Sequence, residues 1–138
     1  NWHDGVQQTG RLRSINREPL VVGEVERALA DPVSLRAQVF AGYRHLIETR
    51  AAEPAFHPSG AQQVLDLHPA LFALLRISPD GRARVAALHN VSGESVHVAL
   101  GTIEGAGRWR DLLTGEDFHA DAEIALAPYQ VRWLKRSG

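Results

Sequence analysis

Residues 53–60 read Glu53-Pro54-Ala55-Phe56-His57-Pro58-Ser59-Gly60, and this stretch separates two parts of the chain with different periodicity. Each proline disfavours helical backbone angles at the residue before it, and the glycine frees the backbone for a turn. A helical pattern therefore ends here. Because short alternating apolar segments follow, we expect helices before residue 60 and strands after it.

The segment upstream of this stretch carries the clearest helical pattern of the chain. Apolar residues recur at helical spacing from Leu35 to Ile47. Asp31-Pro32 supplies an N-cap acceptor followed by a proline at the first helical position, so the helix is predicted to begin there. We expect it to continue to about Arg50.

The first thirty residues carry weaker signals. A short helix is predicted over residues 23–30, where apolar residues share one side. Residues 1–20 are predicted to form an irregular loop, because Gly5, Gly10 and Pro19 interrupt any periodicity.

The part of the chain after Gly60 is predicted to form short strands. The tetrapeptide Ser78-Pro79-Asp80-Gly81 has the composition of a hairpin turn between two of them. Short strands at this spacing indicate an antiparallel sandwich, and the expected fold class is therefore α+β. The expected strands are 64–67, 71–77, 83–90, 95–100, 109–113, 124–126 and 129–134.

Composition limits the function classes. The chain has 138 residues, of which 44% are hydrophobic and 22% charged, as in a globular domain. A formal net charge of -1 argues against nucleic-acid binding, and no apolar run approaches the roughly 20 residues that span a bilayer. There is no cysteine, which is compatible with the cytoplasmic location that we predict. There is also no methionine, even at position 1, so we expect a piece of a longer polypeptide.

The segment from Gly10 to Pro19 is rich in hydrogen-bond donors. It contains Arg13-Ser14-Ile15-Asn16-Arg17, where cationic and amide side chains surround one apolar residue. Such a segment is too short and too polar for a core element. We therefore expect a loop that presents donors to a ligand or to another part of the protein.

This motif resembles the segment after the last barrel strand in sucrose phosphorylases and their relatives, the sucrose phosphorylase/glucosylglycerate phosphorylase branch of glycoside hydrolase family 13 in the α-amylase clan. Further pieces resemble that branch in the same order along essentially the whole chain. They are residues 37–50, 53–58, 85–92, 109–115 and 126–134.

The resemblance implies an architecture and an activity. Residues 1–58 would be the last βα-loop and eighth helix at the end of a TIM barrel, and residues 59–138 the C-terminal antiparallel β-sandwich domain. The parent enzyme would transfer a glucosyl unit from a glucoside such as sucrose to phosphate, with retained configuration. Its partners would be a glucoside substrate and phosphate, with no cofactor.

Retaining transfer needs two carboxyl groups about 5 Å apart. In the family these lie on barrel strands upstream of Asn1, so we assign no catalytic residue within the chain and expect the isolated piece to be structural and inactive. Glu116, Asp117 and Asp121 are interpreted as a solvated loop. Arg17 is the one substrate-binding residue that the resemblance implies, as a contact to the glucosyl unit.

Two alternative functions are a stand-alone carbohydrate-binding module and an oligomerisation domain. The seven histidines show no metal-binding spacing, so no metal site is expected. A stand-alone carbohydrate-binding module would need exposed aromatic residues, whereas Trp109 and Trp133 are interpreted as core. An oligomerisation domain would use the apolar stripe from Val39 to Ile47, which we expect to be covered by another chain or by the opening residues.

Overall fold

A computed structural model describes residues 3–104 and 107–137, and helices precede strands along them. The described residues form three α-helices and eight strands, which confirms the α+β fold class. The helices are α1 His3–Thr9, α2 Val22–Ala30 and α3 Leu35–Ala52. The strands are β1 Ala61–Leu65, β2 Leu71–Ile77, β3 Arg84–Asn90, β4 Val96–Ala99, β5 Arg108–Asp111, β6 Asp117–His119, β7 Glu123–Leu126 and β8 Val131–Ser137.

The chain divides into two compact units, residues 1–44 and residues 45–138, and the division falls inside α3. The domain boundary expected from the sequence lies between residues 58 and 59. It falls close to the change from helix to strand, because β1 begins at Ala61. The unit that contains the strands begins earlier along the chain, at residue 45.

The prediction of an irregular loop over residues 1–20 was wrong for residues 3–16, and residues 1 and 2 lie outside the described part of the chain. Besides α1, a 3-10 helix spans Leu12–Asn16. Gly10 ends α1 with a φ of 66°, which glycine adopts without strain, and its N–H donates to the Val6 carbonyl at 2.8 Å. The two elements are joined by the hydroxyls of Thr9 and Ser14, whose oxygens lie 2.6 Å apart. Side-chain bonding of this kind leaves no trace in hydrophobic periodicity.

The start of α3 was predicted too early. Residues 31–34 form a turn, in which the Ser34 N–H donates to the Asp31 carbonyl at 3.1 Å and Asp31 Oδ1 accepts from the Val33 N–H at 3.1 Å. The residue that caps α3 is Ser34, whose Oγ accepts from the Ala37 N–H at 3.1 Å. Asp31 therefore caps a turn rather than the helix.

The strands form two antiparallel sheets, with orders β1-β2-β3-β8-β5-β6 and β4-β7. The Ser78–Gly81 turn joins β2 to β3 as predicted, and the Ser78 N–H donates to the Ala83 carbonyl at 2.9 Å. One strand was missed, because β6 lies where a solvated loop was expected.

The core of the second unit lies between the two sheets. β4 and β7 contribute every second residue to it, and the strands of the larger sheet contribute the other side. This packing of two antiparallel sheets confirms the sandwich. The buried residues between the sheets are Leu71, Ala73, Ala86, Leu88, Val96, Val98, Leu100, Ile103, Trp109, Ile124, Leu126 and Leu134.

The opposite face of the larger sheet is also covered. Val85, Ala87 and Trp133 pack there with Ala55 and, on α3, with Leu46. Strand β3 is consequently buried on both faces, which explains its nearly continuous apolar sequence. Within the described residues, no helix has the length and apolar character needed to cross a membrane.

Both core assignments of tryptophan were correct, but the last strand was predicted to begin two residues too early, at Tyr129. Trp109 is fully buried and Trp133 is 8% exposed. Tyr129 is 72% exposed and has a φ of 58°, because it lies in a turn in which the Gln130 N–H donates to the Ala127 carbonyl at 3.0 Å. β8 begins only after that turn.

Candidate functional site

The donor-rich motif forms the 3-10 helix Leu12–Asn16, with Arg17 directly after it. The Arg17 N–H donates to the Ser14 carbonyl at 3.0 Å, which closes the turn. Ser14 is 7% exposed, whereas Arg13 and Arg17 are exposed. Neither guanidinium has a hydrogen bond or an ion pair within the described part of the chain, so both are available to a ligand or to another segment.

Acidic side chains at the edge of the larger sheet form ion pairs with arginines. Asp111 is fully buried, and its Oδ2 accepts from Arg132 Nη1 at 3.1 Å. Glu116 Oε2 accepts from the same Nη1 at 2.9 Å, and Arg110 Nη1 lies 3.1 Å from Asp117 Oδ2. These carboxylates therefore hold the edge of the sheet together.

The solvated-loop interpretation of the acidic segment needs correction. Asp117 is the first residue of β6 and pairs with Arg110 across the ladder. The Arg132 guanidinium lies over the ring of Phe118 in the same strand, 5.2 Å from the ring centroid. The segment forms an edge strand because it pairs with β5, the preceding strand, and Arg132 of β8 covers the Phe118 ring. Asp121 is exposed, in agreement with the prediction.

Several histidines have local structural partners. Nδ1 of His57 accepts from the Ser59 N–H at 3.1 Å, and Nδ1 of His68 accepts from the Ala70 N–H at 3.1 Å. Burial lowers the pKa of His89, whose ring lies edge-on to Phe72 at a centroid distance of 5.9 Å. Among residues 3–104 and 107–137, no three histidine, aspartate or glutamate side chains are grouped as metal ligands.

An open apolar groove of about 610 Å³ lies within the first unit. On α3 its residues include Phe40 and Tyr43, which are 54% and 67% exposed. Of the described opening residues, 3–20, Leu20 alone lines the groove, and both rings remain exposed. Coverage by another chain stays a prediction. The groove is lined by Leu20, Val25, Leu29, Leu35, Arg36, Val39, Phe40 and Tyr43.

Sequence comparison finds no family model that matches the chain. It does find curated relatives that are all glucosylglycerate phosphorylases. The Spirochaeta thermophila protein is 39% identical over 97% of this chain, the Allomeiothermus silvanus protein 32% over 96%, and the Escherichia coli protein 32% over 98%. The chain spans only 25%, 21% and 23% of the lengths of these relatives.

Solved structures share the fold at lower identity. AmyP in complex with maltose matches with a TM-score of 0.64 and 21% identity, over 72% of this chain and 20% of that chain. The trehalulose synthase MutB from Pseudomonas mesoacidophila MX-45 matches with a TM-score of 0.61 and 24% identity, over 81% of this chain and 19% of that chain. Because the identities are low, these matches concern the fold alone.

The sequence matches and the structural matches agree with the resemblance carried by Arg13-Ser14-Ile15-Asn16-Arg17 and the segments after it. Nearly the whole chain aligns with about a quarter or less of each curated relative. The chain is therefore similar in sequence to one part of these glucosylglycerate phosphorylases, and its fold is similar to one part of AmyP and of MutB.

Proposed function

We propose that this chain is the C-terminal portion of a retaining α-glucosyl-transferring phosphorylase and that its own role is structural. The observation that carries the proposal is the match of 96–98% of the chain to three proteins that are all named glucosylglycerate phosphorylases. The substrates of the intact protein would be a glucoside and phosphate, and the process carbohydrate metabolism.

The chemistry of this reaction requires groups that we assign to the remainder of the enzyme. A carboxylate attacks the anomeric carbon, a carboxylic acid protonates the leaving oxygen, and phosphate then displaces the enzyme carboxylate. Asp111 and Glu116 are unsuited to these steps, since both are engaged by Arg132. Residues 1–58 would supply the last βα-loop and eighth helix of the barrel, and residues 59–138 the sandwich that packs against it.

Arg17 is the proposed substrate contact within the chain. A guanidinium offers five N–H donors in a planar fork, which suits adjacent sugar hydroxyls. Its exposure and its position directly after the 3-10 helix support this role. Loops that follow barrel strands at the C-terminal face carry the active sites of TIM barrels, and residues 1–31 would be such a loop.

The test compares the intact enzyme with the 138-residue chain. The intact enzyme, supplied with a glucoside and phosphate, is expected to release α-glucose 1-phosphate, whereas the chain alone releases none. Glucose release without any sugar phosphate would identify a hydrolase and contradict the phosphorylase assignment. Activity of the chain alone would contradict its structural role.

The alternative of a stand-alone carbohydrate-binding module loses its main support. It relied on aromatic side chains that can stack on sugar rings, and Trp109 and Trp133 are buried in the two cores of the second unit. Their side chains are 0% and 8% exposed, so neither is the exposed aromatic residue that such a module would need.

A further inference from the structure

The 3-10 helix Leu12–Asn16 and its two flanking residues concentrate positive charge without a counter-charge. Residues 11–17 contain three arginines and no acidic residue, although the chain as a whole has a net charge of -1. All three arginines are exposed, and no ion pair involves them within the described residues. A local excess of three unpaired guanidinium groups favours an anionic partner.

The geometry of the helix selects two of its side chains. A 3-10 helix has three residues per turn, so residues three apart lie on the same side. Arg13 and Asn16 are such a pair, and both are exposed. Ser14 is instead buried, and its hydroxyl lies 2.6 Å from that of Thr9. This contact anchors the 3-10 helix to α1 without involving Arg13 or Asn16.

We propose that Arg13 and Asn16 together bind an anionic oxygen group of the substrate, next to the glucosyl contact of Arg17. The inference rests on the proposed function. The guanidinium can donate two parallel N–H bonds to the two oxygens of a carboxylate or phosphate, and the Asn16 amide adds a further donor. Arg11, just before the helix, adds positive charge without having to touch the ligand.

Two sources of this anionic group fit the same chemistry. One is the carboxylate of an acidic acceptor from which the glucoside is built, and the other is inorganic phosphate. A donor that carries neither a carboxylate nor a phosphate separates them. We therefore choose α-glucosyl fluoride as donor for the intact enzyme, with water, glycerate or phosphate as the acceptor.

The wild-type protein and Arg13→Ala are compared in these three reactions. A lost charge-assisted hydrogen-bond pair is expected to lower kcat/KM for the anionic acceptor by about 10- to 100-fold. Hydrolysis by water is expected to change by less than about threefold, since water carries no charge. A selective loss with glycerate identifies the carboxylate as the partner, and a selective loss with phosphate identifies phosphate.

Asn16→Asp is the second variant and has nearly the same volume as the wild-type residue. Its carboxylate repels an anion, so the same selective loss is expected even if Arg13→Ala does not fold. Arg82→Ala is the control, because the Arg82 side chain is 89% exposed and lies in the turn between β2 and β3. It is expected to leave all three reactions unchanged.

Equal losses in all three reactions, or no loss in any, would overturn the oxyanion site and make Arg13 a structural residue of the turn. Failure of the proposed function looks different. In that case the wild-type enzyme itself would transfer no glucosyl unit from the fluoride to any acceptor.

Discussion

Lys135 Nζ donates to Glu53 Oε2 at 2.8 Å, and this contact joins β8 to the residue that follows α3. Glu53 is 6% exposed, and its other oxygen accepts from the Ala55 N–H at 3.2 Å. Lys135 is the only lysine of the chain. One buried carboxylate thus holds the segment at residues 53–55 against the last strand of the larger sheet.

Removal of this partner is predicted to destabilise the second unit. Lys135→Ala leaves the Glu53 carboxylate buried without its cation, and we expect a loss of about 1–2 kcal/mol in the free energy of unfolding. The measurement is urea unfolding followed by tryptophan fluorescence. Arg82→Ala is the control, with a change below about 0.5 kcal/mol. Equal unfolding curves for Lys135→Ala and the wild type would show that the contact contributes nothing.

Arg17→Ala in the intact enzyme is predicted to lower kcat/KM for the glucosyl donor by about 10- to 100-fold, because charged donors to the sugar hydroxyls are lost. Steady-state kinetics with a glucoside and phosphate checks this. Arg27→Ala is a matched control, since Arg27 is an exposed arginine of α2 whose Nε donates to the carbonyl of Gly23, at 3.1 Å, within its own helix. Unchanged kcat and KM in Arg17→Ala would remove Arg17 from the substrate site.

His89 is predicted to make stability depend on pH. Burial lowers its pKa below the ordinary value of 6.5, so at mildly acidic pH the unfolded chain binds more protons than the folded one. Its ring lines a cavity of about 200 Å³. The contribution of His89 to stability is complete above pH 6.5 and is lost as the pH falls below that value.

The measurement is the free energy of unfolding between pH 5 and 7.5, for the wild type and for His89→Gln. The variant is expected to show a flatter dependence over that range. His119→Gln is the matched control, because His119 is exposed on the edge strand β6. The assignment is wrong if His89→Gln leaves the slope of the wild type unchanged.

The apolar groove of the first unit is predicted to cause self-association of the chain when it is produced alone. Phe40 and Tyr43 are more than half exposed, and burial of such apolar surface against another chain is favourable. Phe40→Asp is expected to weaken association by at least about tenfold, because burial of a phenylalanine contributes about 1.5–3 kcal/mol. Sedimentation equilibrium measures it, with Tyr129→Asp as a control on the second unit. A wild-type chain that remains monomeric contradicts the prediction.

Hydrophobic periodicity was sufficient where burial follows local alternation. β2 was predicted at its observed bounds, residues 71–77, and its buried residues Leu71, Ala73 and Leu75 alternate with less buried ones. β6 was missed for the opposite reason. Asp117 and Phe118 form a strand only because β5 lies beside them, and a sequence of three residues carries no period of its own.

Side-chain hydrogen bonds account for the other differences. Ser34 rather than Asp31 caps α3. The Asp31 carboxylate instead accepts from the Val33 N–H in the turn before the helix, and the Ser34 hydroxyl accepts from the Ala37 N–H. The bond between Thr9 and Ser14 orders a segment in which the glycines predict a loop. Several polar residues could cap or anchor each segment, and only the path of the backbone selects one.

The sequence by itself determined the order of helices and strands, the exposed arginine motif at residues 13–17 and the resemblance to sucrose-phosphorylase-like enzymes. These features depend on local periodicity and on residue identity. Only the tertiary structure decided that Asp111 and Glu116 share one arginine, that Trp109 is buried between sheets, and that Glu53 meets Lys135. Each of those contacts joins segments far apart in the chain, and local sequence carries no record of which segments will meet.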